Sequence, residues 1–185
     1  MEKIALLSSE RLLKVNKLIL EKIASNIPLI SEIAEYILTS GGKRIRPLLA
    51  LSSAKMLNYE GSNKDICLAS AVELIHTATL LHDDVVDKSN KRRNKETANE
   101  VWGNEATILV GDFLFSRAFE LMVETNSLEV LRTLSQASCK ISEGEMNQLI
   151  SQNNPSASTH DYIKIIKGKT AELFSAACKS GALIS

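Results

Sequence analysis

Three aspartates near the middle of the chain have the spacing of a metal site. Asp83 and Asp87 are four residues apart, so on a helix their carboxylates share one face. Asp84 points about a quarter-turn away and can act through water. Carboxylates that leave positions open for water and phosphate oxygens suit Mg²⁺ better than Zn²⁺. The alternative is an exposed acidic helix end, although three carboxylates there face the negative end of the helix dipole.

Two basic segments provide cations close to these aspartates. Arg92 and Arg93 follow on a polar stretch that can fold back, and Lys43 and Arg46 lie at the junction of two predicted helices. Guanidinium groups bind phosphate oxygens through paired hydrogen bonds, and a metal ion bridges the same oxygens. Each basic segment alone is more typical of a solvated loop or a helix end. Combined with the aspartates, they predict a diphosphate site.

Apolar residues at helical spacing predict the elements that carry these groups. We expect one all-α domain, 1–185, because no useful strand alternation and no internal repeat occurs. Thr97 and Glu100 have capping-box spacing at the start of a short helix. The last helix is still apolar where the chain ends, which predicts a C-terminally incomplete bundle. The other predicted helices cover residues 12–23, 30–39, 47–58, 64–87, 105–124, 128–151 and 160–185.

Composition excludes several classes of protein. Lys+Arg and Asp+Glu are both 22, and this balance is unlike the basic excess of a nucleic-acid-binding domain. The cysteines, Cys67, Cys139 and Cys178, are far apart and odd in number, so they support neither a zinc site nor a disulfide framework. We expect a cytoplasmic protein without a signal peptide or a transmembrane segment.

Taken together, the motifs resemble those of the trans-isoprenyl diphosphate synthase (polyprenyl synthetase) family, in the N-terminal part of a long-chain, octaprenyl-type synthase. The resemblance covers nearly the whole chain. It implies an antiparallel bundle of the isoprenoid synthase type and a Mg²⁺-dependent prenyltransferase that adds isopentenyl diphosphate to an allylic diphosphate. The matching pieces, in the family's order, are Gly41-Gly42-Lys43-x-x-Arg46-Pro47, His76, Asp83-Asp84-x-x-Asp87, Arg92-Arg93, Gly111-Asp112, Gly144-Glu145-x-x-Gln148 and Lys169-Thr170.

The resemblance also implies roles for the two substrates' diphosphates. Asp83 and Asp87, with Asp84 behind them, are expected to hold Mg²⁺ on the allylic diphosphate, which Arg92 also contacts. The residues expected to bind isopentenyl diphosphate are Lys43, Arg46, His76 and Arg93.

Further roles concern the reacting carbons and the product. The resemblance assigns Lys169 and Thr170 to the departing diphosphate and the carbocation, and Gln148 to the cavity lining. In this family, the residues four and five before the first aspartate limit the growing chain; here they are the small Thr79 and Ala78. Small residues there predict a product longer than farnesyl, although they also permit close helix packing.

The chain departs from the family in two places. Asn94 follows Arg92-Arg93 where a glycine is common. The family's second aspartate-rich motif is absent, since Asp112 and Asp161 are the only aspartates after Gly111. We therefore expect a domain truncated before that motif, inactive or weak alone. Its partner is expected to be a second copy, as in a homodimer, or a separately encoded C-terminal half.

Three other functions are alternatives for this sequence. A non-catalytic subunit supporting a partner prenyltransferase is the main alternative, although such chains tend to lose the aspartates. A metal-dependent phosphohydrolase is suggested by the His82-Asp83 pair, but that class needs a further histidine ligand upstream, and none of His76, His82 and His160 lies far enough upstream. A helical interaction protein with solvated charges is the third alternative, and any binding of Mg²⁺ and a diphosphate to it would not depend on Asp83.

Overall fold

The computed structural model describes residues 9–61, 63–152, 154 and 158–185, and in these ranges the chain is a bundle of helices. The all-α prediction is confirmed. A π-helical turn, Lys167–Ala171, joins the last two helices. The helices are α1 (Ser9–Ile23), α2 (Pro28–Thr39), α3 (Ile45–Met56), α4 (Lys64–Val86), α5 (Ala98–Trp102), α6 (Asn104–Glu124), α7 (Leu128–Ser151), α8 (Thr159–Ile166) and α9 (Glu172–Leu183).

Helix α4 forms the centre of the bundle because it is apolar on nearly all faces. It packs against α1, α3, α5, α6 and α9, and its side chains Leu74, Ile75 and Leu81 are fully buried in one continuous core. Burying a side chain of this size contributes about 1.5–3 kcal/mol. The helix that carries the three aspartates is therefore held firmly along most of its length.

The helix ends lie within three residues of the predicted ones, apart from the last predicted helix, but the cap predicted at Thr97 does not form. Thr97 precedes α5 as predicted, but its hydroxyl donates to the carbonyl of Ser89 and forms no cap, so the capping-box prediction is wrong. The competing bond closes the loop between α4 and α5. A complete capping box is present instead at Ser158 and Asp161, which start α8. The sequence also predicts a turn at residues 61–63 and a loop at residues 153–159, and both lie partly outside the described residues.

A small hairpin occupies the polar stretch after α4, where no strand was predicted. Strand β1 (Lys91–Arg92) pairs antiparallel with β2 (Lys95–Glu96). The two residues between them, Arg93 and Asn94, have φ of 52° and 65°, as a type I′ turn requires. Asparagine tolerates this left-handed conformation, so Asn94 can replace the glycine that the family commonly has there.

The predicted helix over residues 160–185 is interrupted by the π-helical turn, which corrects the prediction of one continuous helix. A Cβ added at Gly144 on α7 would lie 2.6 Å from the backbone nitrogen of Lys169, and one at Gly168 would lie 3.2 Å from Cα of Gly144. The two backbones are therefore in direct contact at these glycines. π turns occur frequently at functional sites, and this one carries Lys169.

Within the described ranges, each helix is too short or too polar to cross a bilayer.

The backbone contact at Gly144 predicts that replacing this helical glycine with alanine destabilises the protein instead of stabilising it. In an exposed helix, Gly→Ala stabilises by about 1 kcal/mol through propensity. Here we expect Gly144→Ala to lower the free energy of unfolding by about 1–3 kcal/mol, because the added methyl group overpacks the contact. Urea denaturation measures the change. Glu143→Ala, an exposed substitution on the same helix, is the control and should have little effect; a stabilised Gly144→Ala would contradict the packing.

Candidate functional site

The C-terminal end of α4 places the three aspartates in different environments. Asp83 is largely buried, with 14% of its side chain exposed, whereas Asp87 is exposed at the helix C-cap, where its backbone N–H donates to the carbonyl of Asp83 at 2.8 Å. Only 1% of the Asp84 side chain is exposed. The helix thus brings Asp83 and Asp87 to one face, as predicted, and directs Asp84 elsewhere.

Arg92 compensates the buried charge of Asp84. Its Nε lies 3.0 Å from one carboxylate oxygen and its Nη2 lies 2.8 Å from the other, which is a bidentate ion pair. The hydrogen bond to Asp84 raises the pKa of Arg92 against the opposing effect of burial. This pair folds the hairpin back against α4. Arg92 therefore lies beside the face of α4 that carries Asp83 and Asp87, which we call the acidic face.

Lys169 reaches the acidic face from the π turn. Its Nζ donates to Glu145 at 2.7 Å and lies 3.5 Å from an oxygen of Asp83. Sequence reasoning included Glu145 in a motif but gave it no role. Its only signal was its position beside Gly144, whose missing side chain lets the π turn approach α7.

The pKa shifts show how strongly these charges interact. Burial raises the pKa of Asp83, which Lys169 lowers and the charge of Asp87 raises further. Burial also raises the pKa of Glu145, with Asp83 acting in the same direction. For Lys169, burial acts to lower the pKa, but the hydrogen bond to Glu145 and the charge of Asp83 raise it. A cation is therefore favoured among these carboxylates.

The acidic face fits a divalent ion that is shared with a ligand. Its donors are carboxylate oxygens, which suit Mg²⁺. Across the residues that the structure describes, no three His, Cys, Asp or Glu side chains are grouped closely enough to hold a metal by themselves. An ion held by Asp83 and Asp87 would complete its coordination with water and phosphate oxygens, the usual arrangement for Mg²⁺.

A second, basic site lies where α3, α4 and α9 meet. Its pocket has a volume of about 550 Å³. All four residues that the resemblance assigned to isopentenyl diphosphate come together here. The lining consists of Gly42, Lys43, Arg44, Ile45, Arg46, Glu73, His76, Arg93 and Phe174.

Arg46 and His76 prepare this pocket for an anion. The Arg46 guanidinium lies 4.2 Å from the ring centroid of Phe174, and its Nη1 lies 3.2 Å from Nε2 of His76. Burial and the charge of Arg46 lower the pKa of His76 to about 3, so the ring is neutral near pH 7. Because a guanidinium only donates, Nε2 accepts and the ring proton is on Nδ1. The buried Nε of Arg46 has no partner among the described residues, so it is a donor that a bound anion can satisfy.

An apolar cleft opens beside Asp83, between α4 and α7. It has a volume of about 210 Å³ and is lined mainly by Thr79, Val86, Ile141, Met146 and Leu149, together with Asp83 and Glu145. Thr79 borders the cleft, whereas Ala78 is fully buried in the core.

Two other predicted site residues, Gln148 and Thr170, line neither the basic pocket nor the apolar cleft. Gln148 is half-buried on α7, three residues beyond Glu145. Thr170 is exposed on the π turn next to Lys169.

Comparison with known proteins gives consistent matches. The sequence pattern of the polyprenyl synthetase family matches residues 27–185. The octaprenyl diphosphate synthase of Escherichia coli (strain K12) is 45% identical over 185 residues, which is 100% of this chain and 57% of that protein.

Two crystal structures superimpose closely on the described helices. A decaprenyl diphosphate synthase from Rhodobacter capsulatus gives a TM-score of 0.96 at 44% identity, covering 99% of this chain and 56% of that one. A polyprenyl synthase from Caulobacter crescentus CB15, complexed with calcium and isoprenyl diphosphate, gives 0.95 at 46% identity, with coverage of 99% and 56%. The chain thus spans a little over half the length of these relatives. The matches confirm the resemblance drawn from the motifs and the isoprenoid-synthase type of bundle: the chain belongs to the polyprenyl synthetase family.

Proposed function

We propose that this chain carries the substrate-binding part of a prenyltransferase that adds isopentenyl diphosphate to an allylic diphosphate and builds a long-chain polyprenyl diphosphate. One observation carries the proposal: the acidic face and the basic pocket lie on the same helix, α4, and Arg92 is close enough to shift the pKa of a group in each. Its charge acts on the pKa of His76 in the pocket and of Asp83 on the acidic face. Two diphosphates need two such sites.

The acidic face is suited to the allylic diphosphate. Asp83 and Asp87 would hold Mg²⁺, and Asp84 supports them by fixing Arg92 next to the same face. When bound, Mg²⁺ neutralises charge that develops on the leaving diphosphate. Lys169, held 2.7 Å from Glu145, adds a second cation at this position. The solved relative that is complexed with calcium and isoprenyl diphosphate supports a divalent ion in this role.

The basic pocket is suited to isopentenyl diphosphate. Lys43, Arg46 and Arg93 supply positive charge, and the neutral His76 supplies a hydrogen bond without adding repulsion among the cations. A diphosphate bound there accepts from the buried Nε of Arg46. The pocket would thus hold the diphosphate of the five-carbon unit.

The reaction needs no protein nucleophile. Loss of the allylic diphosphate leaves a carbocation. Arg92 and Lys169 stabilise the negative charge on the departing diphosphate, and Thr170 lies beside the carbocation. The isopentenyl double bond then attacks the carbocation, and a proton is lost to the released diphosphate. The apolar cleft beside Asp83 receives the hydrocarbon, bordered by the small Thr79. Thr79 supports a long product, as does the octaprenyl product named for the Escherichia coli relative.

Association with another chain is part of the proposal. Exposed apolar side chains recur at helical spacing along α6, including Leu109 (67% exposed), Phe119 (40%) and Val123 (61%). A stripe of this kind supports a homodimer through the central helices, which sedimentation velocity of the purified chain reports directly. The main alternative is a non-catalytic or split subunit that assembles with a partner prenyltransferase chain carrying the second acidic motif.

The proposal predicts that diphosphate binding depends on both Mg²⁺ and Asp83. Isothermal titration of farnesyl diphosphate into the chain should show binding that Mg²⁺ strengthens, and Asp83→Asn should weaken the Mg²⁺-dependent part at least about tenfold. Glu143→Gln removes one exposed charge from α7 and should change little. If Asp83→Asn binds with unchanged Mg²⁺ dependence, the chain is better regarded as a helical interaction protein.

We also expect the chain alone to have little or no synthase activity. The sequence contains one aspartate-rich motif, and the resemblance implies a second that holds a further metal ion. A unit charge at about 4 Å is worth about 4 kcal/mol at an effective dielectric near 20, or roughly a thousandfold in rate. Incorporation of labelled isopentenyl diphosphate into extended products measures this. Elongation of farnesyl diphosphate at ordinary turnover by the purified chain would refute it.

A further inference from the structure

We propose that Glu73 is a positioning residue, which through Arg44 holds residues 41–46 in the shape that directs Lys43 and Arg46 into the basic pocket. This inference rests on the proposed role of that pocket in binding isopentenyl diphosphate. Neither Glu73 nor Arg44 was among the site residues expected from the sequence. Both line the pocket in the structure.

The connection between α2 and α3 requires unusual backbone conformations. Gly41 has φ of 89°, Gly42 has φ of 153°, and Arg44, at the N-cap of α3, has φ of 46°. The left-handed region is unfavourable for an arginine, and this conformation persists only where the surroundings impose it. Something must therefore hold Arg44 in place.

The side chain of Arg44 provides that restraint. Its Nη1 donates to the carboxylate of Glu73 on α4, and its Nη2 donates to the backbone carbonyl of Leu38 on α2 at 2.8 Å. The Arg44 guanidinium thus links the α2–α3 connection to α2 and to the central helix α4. Lys43 and Arg46 flank Arg44, so their backbone positions follow from the same restraint.

The charge of Glu73 makes a purely electrostatic role in binding implausible. It is the one carboxylate among the pocket-lining residues of the described structure, with 6% of its side chain exposed. Burial raises the pKa of Glu73, and Arg44, Arg46 and Arg93 lower it. A buried negative charge beside an anion site repels the anion. Its presence is explained if the carboxylate orders the cations that do the binding.

The two explanations predict opposite effects for Glu73→Gln. If Glu73 acts only through its charge, removing that charge strengthens binding of a diphosphate. If Glu73 positions the 41–46 segment, the neutral amide of Gln forms a weaker hydrogen bond with Arg44. Diphosphate binding then weakens, although the repulsion between Glu73 and the diphosphate is gone. The sign of the change separates a positioning role from a simple charge effect.

The test is titration of isopentenyl diphosphate into the full chain without Mg²⁺, so that the acidic face does not contribute. We expect Glu73→Gln to bind about tenfold more weakly, which corresponds to about 1.4 kcal/mol. Glu35→Gln, which removes an exposed carboxylate from α2, is the control for net charge and should bind as the wild type does. Binding by Glu73→Gln that equals or exceeds wild-type binding would overturn the inference.

A second variant and a second measurement guard against misfolding. Arg44→Met leaves Glu73 beside Arg46 and Arg93 and should also weaken binding of isopentenyl diphosphate. The double variant Glu73→Gln/Arg44→Met should bind no more weakly than Arg44→Met alone, because the two residues act as one unit. Amide hydrogen exchange at residues 41–46 should accelerate in both single variants, whereas exchange in the core of α4 should not. Independent, additive effects would contradict the inference.

The same experiment separates failure of the inference from failure of the proposed function. A wild-type chain that does not bind isopentenyl diphosphate would reject the role of the pocket itself. A wild-type chain that binds it, with a Glu73→Gln variant that binds equally well and keeps slow exchange at residues 41–46, would reject only the positioning role.

Discussion

The pairing of buried carboxylates with cations from other elements is the interaction on which this site depends. A buried ion is costly unless a partner compensates it, and removing one partner of such a pair destabilises by about 3–5 kcal/mol. Asp84 on α4 holds Arg92 of the hairpin, and Glu73 on the same helix holds Arg44 of the α2–α3 connection. Lys169 joins the π turn to α4 and α7. Each pair that satisfies a buried charge also fixes the position of a segment that carries further site residues.

Helix α4 can support these pairs because its other faces are packed. Its apolar residues contact five neighbouring helices, while its Glu73 lines the basic pocket and its Asp83 lines the apolar cleft. The acidic face at its C-terminal end keeps two carboxylates, Asp83 and Asp87, near the single ammonium of Lys169. The basic pocket two turns earlier keeps one carboxylate among several cations. The two sites thus differ in the sign of their excess charge, as the proposed binding of a cation with its anion at one site and of an anion alone at the other requires.

The sequence predicted the features that depend on local periodicity. Apolar spacing identified α4, and a spacing of four residues placed Asp83 and Asp87 on one face. The hairpin was missed because its strands have two residues each and its turn relies on positive φ at Arg93 and Asn94, which no periodicity reveals. The π turn was missed because it depends on contact between Gly144 and Gly168, which are distant in the chain. Spacing also cannot tell which cation a carboxylate will meet, so Glu73 and Glu145 became apparent only from the folded arrangement.

The most direct test of the central claim is anomalous diffraction from crystals of the chain grown with Mn²⁺ and a non-reactive allylic diphosphate analogue. The account predicts a Mn²⁺ peak about 2 Å from carboxylate oxygens of Asp83 and Asp87, bridged to the diphosphate, with Lys169 displaced from Asp83 toward that diphosphate. A Mn²⁺ ion bound elsewhere, with Asp83 still paired to Lys169 and the diphosphate remote from both, would contradict it.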